Sequence, residues 1–63
     1  MKKVDSYNRE IKLDDLVNID SMYSHKATGV VVGFTAQKVK VYNVYYDKDM
    51  IIKPQNLTLI GAN

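Results

Sequence analysis

His25 is the only histidine in the chain, and Asp14-Asp15 and Asp47-x-Asp49 are its closely spaced carboxylates. Catalysis needs a nucleophile, a base and a group that orients them, or a metal with at least three protein ligands. The neighbours of His25, Ser24 and Lys26, are adjacent in sequence, where side chains diverge. His25 therefore reads as an exposed loop histidine. The two acidic pairs fall at turns, where Asp accepts hydrogen bonds from nearby backbone amides, and no further oxygens converge on them. No glycine-rich phosphate loop is present. The chain reads as a non-enzyme, with no cofactor, metal or small-molecule substrate.

Binding chemistry is better represented. Lys38 and Lys40 alternate with Val39 and Val41, and Tyr42 and Tyr45 follow within a few residues, with Tyr46 assigned to the core. Lysines neutralise phosphates, and tyrosines stack on unpaired bases for about 1–3 kcal/mol per base. The loop residues Tyr23, His25 and Lys26 and the N-terminal Lys2, Lys3 and Arg9 extend this set. The partner is then RNA or DNA, or a ribonucleoprotein. The same tyrosines with Met22 also suit a protein-binding patch, because Tyr and Met are enriched in interface cores. On that reading the chain is an adaptor or inhibitor docked on a transcription or translation complex.

Short β-rich runs must position these residues. No segment sustains a period of 3.6, whereas residues 16–20, 28–34, 39–46, 50–53 and 57–60 are rich in Val, Ile, Leu and Tyr and are separated by polar breaks. Residues 35–37 and 47–49 are short hairpin links. Ile11 and Leu13 begin the first strand early. Pro54 cannot donate to a ladder, so residues 54–56 make one 3-10 turn before the last strand. Five strands in so short a chain survive by curling into a small closed or nearly closed barrel.

Several positions carry a reason of their own. Gly29 permits close backbone approach or positive φ where the second strand bends. Val31 faces the core, and a bulge at Val32-Gly33 turns Phe34 inward. The lost step at Tyr42-Asn43 implies a second bulge, which brings Val39, Val41, Val44 and Tyr46 inward. Tyr45 then points outward on the face of Lys38 and Lys40, with Tyr42 between the two roles.

At 63 residues this is one domain, and it buries only about 60% of the surface its unfolded chain exposes. The absence of cysteine removes disulfides and thiolate zinc sites as supports and favours a reducing, cytoplasmic setting. No apolar run is long enough for a membrane, so a soluble protein is expected. Asn56-Leu57-Thr58 fits a glycosylation sequon that such a chain would not have modified. The net charge of +2 is distributed unevenly. Residues 1–12 and 36–53 each net +2, while Asp14, Asp15 and Asp20 against Lys26 give −2 between them. Any basic face must be assembled from the first and last parts of the chain. Residues 1–9 read as an N-terminal arm, flexible or with Ser6 capping a short helix, residues 10–61 as the barrel and 62–63 as a tail. Eight lysines against one arginine resemble the bias of an AT-rich genome, that of a low-GC bacterium or its bacteriophage.

The stretch from Asp15 through Val17, Ile19 and the 20–28 loop to Gly29 and Val31 resembles the KOW motif, the SH3-like module of Nus-type elongation factors and some ribosomal proteins. Lys38-Val39-Lys40-Val41 looks like the third strand of that family, and residues 54–60 like its closing turn and strand. The resemblance implies a five-stranded SH3-like barrel that contacts RNA or protein through its loops. Ser21-Met22-Tyr23 stands where the family usually has an early loop glycine.

Overall fold

A computed structural model describes residues 2–20 and 27–61. It contains five antiparallel strands, β1 (Leu16–Ile19), β2 (Ala27–Phe34), β3 (Val39–Asn43), β4 (Lys48–Ile52) and β5 (Leu57–Gly61), with a 3-10 turn at Pro54–Asn56. The all-β class, the strand count and the turn before the last strand agree with the expectation. Residues 21–26, which include Met22, Tyr23, His25 and Lys26, lie outside the described residues, as do Met1 and the 62–63 tail.

The strands form one open sheet in the order β4-β3-β2-β1-β5. β2 is shared: Ala27 to Val30 pair with β1, and Gly29 to Phe34 pair with β3. From Ile52 the chain reaches Leu57 in five residue steps, at most about 17 Å if fully extended. Laid flat, edge strands separated by four spacings would stand about 19 Å apart. The sheet must therefore curl.

It does not close into the expected ring of pairings, because the outer edge of β5 is already occupied. The Ser6 amide donates to the Leu57 carbonyl at 2.8 Å, the Leu59 amide donates to Asp5 Oδ2 at 2.9 Å, and the Arg9 guanidinium donates to the Leu59 carbonyl at 2.8 Å. The N-terminal residues thus take the hydrogen bonds that closure would need. Residues 2–11 form a tight loop, with a bridge between Val4 and Glu10 and the Ile11 amide on the Lys3 carbonyl at 2.9 Å. Ser6 caps no helix; its hydroxyl shares a hydrogen bond with that of Thr58.

The core consists of Ile11, Val17, Ile19, Val31, Val39, Val41, Ile52 and Leu57, with Ala27, Met50 and Leu59 packed against it. Most of these side chains are β-branched, which suits a pleated, tightly curved surface. Ile11 reaches this core from outside any strand, because residues 12–15 make a turn rather than an extension of β1. The Asp15 carboxylate accepts the Lys12 amide at 2.8 Å, and Asp14 takes a left-handed φ of 70°.

Gly29 has its reason in close approach rather than in φ. A methyl group there would overlap Val41 Cγ1 and stand 2.8 Å from the Tyr42 carbonyl oxygen. The bulge expected in β2 is present, as the register shifts between Val31 and Gly33. It sets Phe34 opposite Val39, on the core side, but at the end of the sheet, where Phe34 remains 42% exposed rather than buried.

The second expected bulge is absent. Pairing is regular from Val39 with Ile52 to Asn43 with Lys48, so Val39, Val41 and Asn43 alternate inward. Asn43, not Val44 or Tyr46, is the last inward side chain. Its Oδ1 accepts the amides of Tyr45 and Tyr46 at 2.9 and 3.1 Å, which ends the strand and folds residues 44–47 into the turn. Val44 and Tyr46 consequently lie outside the core, Tyr46 at 59% exposure. The turn falls earlier than the expected 47–49 link, and Lys48 and Asp49 belong to β4.

Candidate functional site

The sheet separates the candidate residues into two groups. At one end of β3 the Thr35–Lys38 turn is held by reciprocal bonds: the Thr35 amide donates to the Lys38 carbonyl and the Lys38 amide donates to Thr35 Oγ1, each at 2.9 Å. This fixes the backbone from which Lys38 projects into solvent. The N-terminal loop brings Lys2 and Lys3 to the same end. With Thr35, Ala36, Gln37, Pro54 and Gln55 they line an open groove of about 480 Å³. Lys2 and Lys3 also border a second depression with Glu10, Ile11 and Phe34. The Lys3 ammonium stands 5.4 Å from the centroid of the half-exposed Phe34 ring, a cation–π contact.

Phe34 was not among the residues expected to bind, since the sequence placed it in the core. The bulge that turns it inward was legible; its position at the mouth of the sheet was not. Gln37 and Gln55, which add amide donors and acceptors to the groove, carried no sequence signal beyond their polarity.

At the other end of β3, about 13 Å away along the strand, the 44–47 turn carries Val44, Tyr45 and Tyr46. Tyr45 is 81% exposed and meets Tyr46 edge to face, with ring centroids 4.9 Å apart. Tyr45 therefore projects into solvent as expected, but not beside Lys38. The outer face between the two ends holds Lys40 and Tyr42, and both are engaged by acids. The Lys40 ammonium lies 3.8 Å from the Asp49 carboxylate. The Tyr42 hydroxyl donates to Asp47, and this hydrogen bond, with smaller contributions from desolvation and from the charges of Asp47 and Asp49, raises the tyrosine pKa. Tyr42 stays protonated and tied to its own turn.

Arg9 is committed as well. Its guanidinium pairs with Asp5 at 3.0 Å and spans to the Leu59 carbonyl, while its face covers Tyr7. The Asp5 carboxylate is buried, which by itself would raise its pKa. Hydrogen bonds from the amides of Leu59, Arg9 and Tyr7 and from the Arg9 side chain outweigh burial and hold it at about 2. Arg9 thus acts as a structural clamp, not as a free cation. Tyr23, His25 and Lys26 lie outside the described residues. Of the ten expected binding residues, the structure brings Lys2 and Lys3 together at the groove, and Lys38 ends the turn that borders it.

Comparison of the chain with protein-family models, with curated proteins and with solved structures gives no match. Among the described residues no helix is long and apolar enough to cross a membrane.

Proposed function

We propose that this chain is a small non-catalytic binding module of the cytoplasm, an SH3-like barrel of KOW type, that holds single-stranded nucleic acid at the groove between its N-terminal loop and the Thr35–Lys38 turn. The barrel assignment is supported by the shared, bulged β2 and by the return of β5 beside β1 after a 3-10 turn. The binding assignment is carried by one observation: Lys2 and Lys3, remote in sequence from Lys38, line a groove against the turn that carries it, with a half-exposed aromatic ring at its border. Lysines serve phosphates, and Phe34 offers a face for an unpaired base.

If these three lysines neutralise phosphates, log affinity falls with log salt at a slope of about −2 for a single strand. Fluorescence anisotropy with labelled RNA, single-stranded DNA and duplex DNA measures this directly. Tyr45→Ala leaves the affinity unchanged, and Lys3→Glu weakens it. No binding to any of the three at low salt refutes the reading.

A second reading draws on the Val44, Tyr45 and Tyr46 turn, an apolar cluster fully displaced from the core. It fits docking on a protein of a transcription or translation complex, and Tyr45→Ala is then the disabling change.

A further inference from the structure

The two edges of the open sheet are treated differently. β5 is covered by Asp5, Ser6 and Arg9 as described above. Along β4, among the described residues, no hydrogen bond from any other segment reaches the side that faces away from β3. β4 contains neither proline nor a bulge, its pairing with β3 is regular throughout, and Lys53 continues it in extended conformation. An uncovered, regular edge is a template for another strand.

We propose that β4 pairs antiparallel with β4 of a second copy of this chain, joining two sheets across a two-fold axis at Ile51. The register follows from face and charge. Antiparallel partners must share a face, so residues 49, 51 and 53, on the outer side, can oppose only one another, and inner Met50 and Ile52 likewise. Pairing Asp49 with itself sets like charges opposite, and centring on Met50 sets Asp49 against Ile51. Centring on Ile51 pairs Asp49 with Lys53 of the second copy twice over, Met50 with Ile52, and Ile51, half exposed in the single chain, with its own mate. Lysine on an edge ordinarily discourages pairing; in this register it finds a carboxylate. The outermost edges of the joined sheet are then the two β5 edges, both covered. The inference does not depend on the nucleic-acid reading and uses none of its residues.

Sedimentation velocity on the full chain tests it, with Asp49→Lys and Lys53→Asp as separate variants. The unaltered chain sediments as a dimer. Each variant opposes like charges at two symmetric positions and weakens dimerisation roughly tenfold. Mixing the two variants, or combining both changes in one chain, restores opposite charges and restores the dimer. Circular dichroism on each variant establishes that it is folded. A chain that is monomeric at every concentration up to millimolar, a dimer that ignores both variants, or a mixture that fails to recover overturns the proposal.

Discussion

The Asp5 carboxylate is the residue through which the N-terminal loop is joined to the sheet. It accepts three backbone amides and the Arg9 side chain, and one of those amides belongs to β5. Its pKa falls from 3.8 to about 2 in the folded chain. A group depressed in this way adds stability that is fully present above its unfolded pKa and is lost as pH falls through the folded value, so the window lies between about pH 4 and pH 2. Asp5→Asn is accordingly expected to lower stability by about 1.5–3 kcal/mol at neutral pH, the scale of hydrogen bonds to a charged group. Urea unfolding at neutral and acid pH checks this. The variant should also lose much of the acid sensitivity of the parent chain, and an unchanged pH profile would show that Asp5 is not the responsible group. Local sequence carries no hint of this role, because Lys3-Val4-Asp5-Ser6-Tyr7 shows no apolar periodicity. Its partners, Arg9 and Leu59, are four and fifty-four positions away. A reading based on local periodicity sees only the first.

At the scale of elements, strand placement was largely legible and side-chain facing only in part. Alternation located β1 to β5 within a few residues, and Pro54 located the 3-10 turn, because backbone chemistry decides both. The facing of β3 went astray at Asn43. A buried asparagine breaks the apolar pattern, and the pattern then appears to resume at Val44 and Tyr46; its side chain instead serves the turn amides. Gly29 shows the opposite case, a residue whose type announced a close approach that the structure contains. Gly29→Ala is expected to cost about 1–3 kcal/mol through overpacking against Val41 and the Tyr42 carbonyl. Gly33→Ala should be nearly neutral, since its added methyl group would find its nearest neighbour at 3.7 Å, on Lys40. Thermal melts of the two variants separate these outcomes. Equal destabilisation would mean that β2 bends for another reason.

The whole molecule owes its asymmetry to the way its N-terminal loop meets the sheet. The charge pattern implied that any basic face would be assembled from the first and last parts of the chain, and the groove sets Lys2 and Lys3 against the Thr35–Lys38 turn. What the pattern could not convey was the competition for each cation. Lys40 and Arg9 are matched by Asp49 and Asp5, contacts that depend on cross-strand register and on the N-terminal loop, neither of which is written in local sequence. The aromatic cluster of Tyr45 and Tyr46 stands apart at the far end of β3, so the two proposed binding surfaces lie at opposite ends of the strand. Chemical-shift mapping of the amide spectrum during titration with a single-stranded oligonucleotide distinguishes them most directly. Perturbations confined to residues 2–4, 34–38 and 54–55, with Tyr45 and Tyr46 unmoved, are the predicted result; perturbations centred on residues 44–47, or none at saturating oligonucleotide, would contradict it.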